Sequence, residues 1–253
     1  GVIPWIKIIN DTAVAVNQQG RRAGAVTVAL DSWHLDIESF LELQTENGDQ
    51  RGKAYDIYPQ VVVSDLFMER VEKNLEWTLL DPYEIRMKYS VELCELYGEE
   101  FEEKYLEIEK DRDITLKARE LFKEIMKTQI ETGMPYIFFK DRANLMNHNN
   151  HVGMIGNGNL CMESFSNFSP SRDFKEDIDE NSGVRKVKLG EVHTCNLVSL
   201  NLAEIEREEL EKNVSIAVRI LDNTIDLTKT PIKESDKHNK NYRAIGVGTM
   251  GLA

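Results

Sequence analysis

The sequence predicts an α/β protein. Short apolar runs of strand length at residues 25–30, 58–63, 136–139 and 244–250 alternate with longer stretches whose apolar side chains recur at helical spacing. Turn and cap residues stand at the joints between the two kinds of segment.

Taken in order, residues 4–16 carry apolar side chains at near-helical spacing and predict a helix. A polar turn at 17–22 leads into the first strand, 25–30. Residues 36–43 predict a short helix with Ile37, Phe40 and Leu41 inward. Residues 58–63 predict a buried strand, and Ser64 is placed to cap a helix that runs to Lys73. From Pro82 to Gly133 the pattern is helical and strongly charged, with Leu121, Ile125 and Ile130 on the apolar side. Gly133-Met134-Pro135 stops it, and the strand at 136–139 follows. Residues 143–158 are rich in Asn, His and Gly and predict a loop. A short extended piece around Cys161 precedes a charged, exposed excursion at 167–190. Residues 195–202 predict strand turning into helix, 210–227 an amphipathic helix, and 244–250 a buried strand. No repeat, low-complexity linker or domain boundary is visible, so residues 1–253 are expected to form one domain.

Bulk properties exclude several classes. Lys plus Arg number 31 against 44 Asp plus Glu, a net charge of −13. That surface repels nucleic-acid polymers and anionic membranes, while a small anionic substrate needs only a local basic pocket. No apolar run approaches the roughly 20 residues that span a bilayer, and the expected location is the cytoplasm. The three cysteines, Cys94, Cys161 and Cys195, are sparse, odd in number and without a CxxC pair. They do not form a disulfide scaffold or a structural zinc site, which leaves buried or catalytic thiols. The chain starts with Gly1 and ends at Ala253 inside an apolar, glycine-rich run, so both ends are expected to be cut from something longer.

The informative stretch is Asn159-Leu160-Cys161-Met162-Glu163. In an extended backbone, Asn159, Cys161 and Glu163 share one face and Leu160 and Met162 anchor the other. At about 3.3 Å per residue the three polar groups span roughly 13 Å, the scale of a nucleoside. An amide, a thiol and a carboxylate on one face supply a hydroxyl-orienting group, a hydrogen-atom site and a base. A carboxylate beside a thiol favours S–H over thiolate, which suits one-electron chemistry. The pentapeptide alone equally fits a buried structural Cys beside a solvated Glu.

Its context resembles ribonucleotide reductase large subunits of the aerobic class. The N-x-C-x-E signature at 159–163 is accompanied by Arg21-Arg22-Ala23-Gly24-Ala25, by Trp33-His34-Leu35-Asp36-Ile37-Glu38 and by Ser64-Asp65-Leu66-Phe67-Met68. Gly98-Glu99-Glu100-Phe101, Glu131-Thr132-Gly133-Met134-Pro135-Tyr136 and Cys195-Asn196-Leu197-Val198-Ser199-Leu200-Asn201-Leu202 follow in family order. The resemblance covers nearly the whole chain and is weakest at 167–190. It implies part of a ten-stranded α/β barrel with a radical-bearing cysteine, Cys161, on a central loop. Cys161 is then the thiyl site that removes the 3′ hydrogen of the ribose, Glu163 the base for the 3′ hydroxyl, and Asn159 a partner of the ribose hydroxyls. Leu160 and Met162 complete the substrate contacts, together with Arg22. Cys195 matches one member of the reducing pair. Gln18, Gly20, Arg21 and Arg22 match the loop that couples effector to substrate choice, although by themselves they fit an ordinary solvated turn.

The same resemblance implies further parts and partners. The second cysteine of the reducing pair, the other effector contacts, the tyrosines that relay the radical and a redox-active tail belong to other segments of the large subunit. A metal-containing small subunit supplies the radical, nucleoside triphosphates act as effectors, and a dithiol such as thioredoxin or glutaredoxin resets the disulfide. A dimer of large subunits is expected, with no cofactor or metal bound by this chain directly, and the chain alone is expected to be inactive. Three other readings remain: a non-catalytic remnant that binds nucleotide or a partner subunit, an adenosylcobalamin-dependent member of the same family, and a dinucleotide-dependent oxidoreductase. The last rests on Gly246-Val247-Gly248-Thr249-Met250-Gly251, which fits G-x-G-x-x-G by letter but lacks a following βαβ unit. His148 and His151 lack nearby carboxylates or thiolates for a metal site, and Cys94 reads as inert packing.

Overall fold

A computed structural model describes residues 1–112, 114–178 and 185–252. They form two compact units, one of residues 1–146 and 156–163, the other of residues 147–155 and 164–252.

The first unit opens with α1 (Ile3–Ala15), β1 (Val26–Asp31) and α2 (Ile37–Leu41), then β2 (Ile57–Val63) and α3 (Asp65–Lys73). The strands β1, β2 and β5 (Tyr136–Phe139) make a parallel sheet with β2 in the centre. Parallel neighbours need crossovers, and helices supply them here. Ser64 caps α3 through a hydroxyl that accepts from the Phe67 N–H at 3.1 Å. Between α3 and β5 come β3 (Glu76–Thr78), α4 (Pro82–Tyr89), α5 (Gly98–Glu109), β4 (Thr115–Lys117) and α6 (Ala118–Thr132), and α7 (Lys140–Leu145) follows β5. Gly133, at φ 80°, ends α6 in the left-handed conformation that a side chain would strain.

Two expectations for this region need correction. The stretch from Pro82 to Gly133 is not all helix, because β4 pairs antiparallel with β3 over three residues on each strand. Strands that short carry no readable alternation. Ile130 does not face inward but is 87% exposed. The buried row of α6 is Ala118, Leu121, Ile125 and Thr128, spaced by three, four and three, and Ile130 falls off that face.

The sheet has two unlike faces. Ile57, Val61 and Val63 of β2 point into the main apolar cluster with Trp33, Phe40, Phe67 and Trp77. There Trp77 stacks on Tyr105 with centroids 4.5 Å apart. In-register neighbours share a face, so the opposite side carries the rows Thr27–Tyr58, Ala29–Gln60–Tyr136 and Asp31–Val62–Phe138.

In the second unit, β8 (Leu197–Asn201) and β9 (Gly246–Met250) pair in parallel, joined through α8 (Leu210–Leu227) and α9 (Lys233–Tyr242). The helix α8 matches the expected 210–227 and buries Ala217, Leu221 and Ile225, one turn apart. The strand β9 forms as expected but is not buried: Met250 is 51% exposed. Its one sheet neighbour among the described residues is β8. The charged run at 167–190, expected as an exposed excursion, is partly strand. It holds β6 (Arg172–Ile178) and β7 (Arg185–Lys188), an antiparallel pair, while 179–184 lie outside the described residues. The short polar helix α9 lacks an apolar stripe and was not legible as a helix.

These are open sheets. No closed barrel forms among the described residues, since closure needs a ring of strands and the four sheets have two or three strands each. No helix among them is long and apolar enough to cross a membrane.

Candidate active site

Residues 159–163 are not extended. Leu160 and Cys161 form a turn and Met162 and Glu163 a bend. The Met162 N–H donates to the Asn159 carbonyl at 3.2 Å, closing the turn. The Glu163 N–H donates to the Asn159 side-chain oxygen at 3.1 Å. Met162 sits at φ 63°, a left-handed backbone that costs a residue with a side chain about 1–2 kcal/mol. The alternation argument therefore fails in its geometry, because a period of two requires extended backbone. What the turn achieves is that Cys161 and Glu163 are both exposed while Leu160 and Met162 are half-buried. Asn159 is tied to Glu163 through the turn itself.

The turn is held from the sheet by a residue that the sequence did not single out. Gln60, in the middle of β2, is 0% exposed and lies on the face away from the apolar cluster. Its Oε1 accepts from the Gly158 N–H at 3.0 Å, and its Nε2 donates to the Met162 Sδ at 2.8 Å. The only signal was an amide inside the run Tyr58-Pro59-Gln60-Val61-Val62-Val63, where a buried strand asks for an apolar side chain.

The carboxyl ends of parallel strands are the usual ligand edge of an α/β sheet. Asp31 closes β1 there, and burial raises its carboxyl against the pull of Lys140. The Lys140 Nζ donates to the Cys94 carbonyl at 2.6 Å. Burial, then Asp31, pushes the Cys94 thiol up to about 11, yet the residue is exposed rather than packed inside as the sequence reading expected.

The loop at 18–22 is a self-closed turn. The Arg21 N–H donates to the Gln18 carbonyl at 3.1 Å, and the Gln18 N–H to the Arg22 carbonyl at 3.1 Å. Gln19 at φ 53° and Gly20 at φ 75° make the two central positions left-handed. Gln18, Gly20, Arg21 and Arg22 are all exposed. The structure does not bring them together with Cys161 through any described hydrogen bond.

Cys195 belongs to the second unit, exposed and two residues before β8. Around it, the Asn196 side chain donates to the Leu221 carbonyl at 2.9 Å. Ser164 and Ser166 pair with His193 and His238 at 2.7 and 2.9 Å, and the two imidazoles meet edge to face. Burial, then His193, lowers His238 to about 4. His148 and His151 are exposed, and among the described residues no three His, Cys, Asp or Glu side chains group as metal ligands. The 246–251 glycines lie in and just after β9 rather than at a strand-to-helix turn, so no dinucleotide loop forms there. A groove of ≈ 400 Å³ between α2 and α6 includes Glu38, Glu42, Glu120, Glu124 and Glu131, an unsuitable lining for a nucleotide.

Parallel strands with helical crossovers define an α/β protein, and a turn pinned to its sheet carries an exposed thiol and an exposed carboxylate. Comparison with known proteins narrows that class. The family described as "Ribonucleotide reductase, barrel domain" matches residues 1–253, and the chain belongs to that family. It is 55% identical over 259 residues to a ribonucleoside-diphosphate reductase subunit alpha of Synechocystis, covering 100% of this chain and 31% of that protein. It is 39% identical over 294 residues to the subunit alpha of Helicobacter pylori, covering 100% and 37%. It is also 34% identical over 264 residues to the large chain of Neurospora crassa, covering 100% and 26%. The chain thus spans about a third of the length of these curated relatives.

Proposed function

We propose that this chain is the segment of a ribonucleoside-diphosphate reductase large subunit that carries the radical cysteine. A thiyl radical at Cys161 takes the 3′ hydrogen of the ribose, leaving S–H and a carbon radical. Glu163 accepts the 3′ hydroxyl proton, and Asn159 holds the ribose hydroxyls between Leu160 and Met162. The 2′ hydroxyl leaves as water. Two electrons and two protons, one for the departing water and one for C2′, come from Cys195 and a second thiol outside this chain, which become a disulfide, and Glu163 returns its proton to the 3′ oxygen. The hydrogen then returns from Cys161 to C3′ and regenerates the radical.

The observation that carries this reading is the turn at 159–163, which exposes Cys161 and Glu163 together and links Glu163 to Asn159. The rest of the proposal is carried over from the family that the chain belongs to. A metal-containing small subunit generates the radical, and a thioredoxin- or glutaredoxin-type dithiol resets the disulfide. Gln18, Gly20, Arg21 and Arg22 form the effector-coupled loop, with Arg22 reaching substrate by its planar fork. The large subunit works as a dimer in the cytoplasm under nucleoside triphosphate control, and the chain by itself does not turn over.

The assay is deoxynucleotide formation by the assembled reductase with Cys161→Ala in this segment. Complete loss with retained nucleotide binding is expected. Undiminished turnover would leave only a non-catalytic binding role. Turnover that required adenosylcobalamin and no small subunit would reassign the radical source.

A further inference from the structure

We propose that Gln60 is a positioning residue for Cys161, setting the direction of its sulfur by clamping the turn on both sides of it. The proposal rests on the reaction assigned above for its kinetic consequences, but its geometric half stands alone.

A strand residue buried to 0% exposure is ordinarily apolar, and an amide there is tolerated only when its polar atoms are bonded. Both ends of Gln60 are engaged, and neither partner is local. They lie 98 and 102 residues away, three positions before Cys161 and one after it. One rigid side chain, fixed in the central strand of the sheet, thus brackets the thiol. The residue it grips on the far side, Met162, is the one at φ 63°. Left-handed backbone at a residue with a side chain persists where surrounding contacts over-determine it. The turn's own bonds, from Met162 N–H and Glu163 N–H back to Asn159, do part of this. The thioether contact to Gln60 ties the Met162 side chain to the sheet. Without it Met162 can relax to negative φ, the 161–162 peptide turns, and the Cys161 Cβ–Sγ bond swings with it. Hydrogen-atom transfer demands near contact between sulfur and C3′, and a misplacement of about 1 Å costs about a hundredfold in rate. Substrate binding, spread over many groups, is far less sensitive to the direction of one sulfur.

The test uses the assembled reductase with Gln60→Met, which keeps the volume and removes both polar bonds. The expected result is a kcat lower by at least about tenfold with an unchanged KM. In parallel, iodoacetamide alkylation mapped by mass spectrometry should change several-fold in rate at Cys161 and not at Cys94 or Cys195. Gln60→Glu guards against misfolding of the first variant. It keeps the acceptor for Gly158 and donates to Met162 only while protonated, so kcat should acquire a fall with rising pH that the parent lacks. If kcat, its pH profile and Cys161 alkylation match the parent in both variants, the positioning role is overturned. A Cys161→Ala control separates the two failures, because turnover surviving there overturns the reaction assignment whatever Gln60 does.

Discussion

The two faces of β2 are built from the same seven residues and do different work. Ile57, Val61 and Val63 vanish into an apolar cluster with aromatic neighbours, where many weak contacts share the load. On the other face, Gln60 holds a distant turn through two directed bonds. The first face is redundant in its parts and matters for whether the chain folds. The second is specific in its parts and matters for where one sulfur points. Stability and activity should therefore separate by face.

The largest stability effect is expected on the packed face. Ile57→Ala, at a side chain 1% exposed, should cost about 2–5 kcal/mol in denaturant unfolding, while the folded fraction of the assembled enzyme keeps its kcat. A kcat that fell in proportion would blur the contrast. Next comes acid. His238 titrates at about 4 when folded against 6.5 ordinarily, so below pH 6.5 protons bind the unfolded chain first. Stability is full above pH 6.5 and declines until the pH reaches about 4, by at most about 3 kcal/mol. His238→Gln should flatten that limb of a pH–unfolding curve. Smaller still is Ser64→Ala, which removes the α3 cap and should cost about 1 kcal/mol by thermal melting. At the bottom of the scale, Lys123→Ala breaks an exposed pair with Glu120 and should shift stability by less than about 0.5 kcal/mol.

The packed face was legible in the sequence, and the directed one was not. Strand-length apolar runs located β1, β2 and β5, a Ser cap placed the start of α3, and α8 came out to the residue. These features rest on local chemistry that repeats. The short pair β3–β4 escaped because three residues cannot show a period. The turn at 159–163 escaped for a different reason. Nothing in Met162 announces left-handed backbone, since the signal for it is a glycine or asparagine, and the bonds that hold it come from β2, about a hundred residues earlier. That Asn159, Cys161 and Glu163 share one short segment was readable, because they are near neighbours in the chain. Their arrangement was not, because it is a tertiary property.

A crystal structure of the assembled reductase with a nucleoside diphosphate bound tests the central claim most directly. We expect the ribose to lie over the turn, with the 3′ carbon in van der Waals contact with the Cys161 sulfur and the 3′ hydroxyl hydrogen-bonded to the Glu163 carboxylate. A ribose seated against any other thiol, or with its opposite edge toward residue 161, would contradict the account.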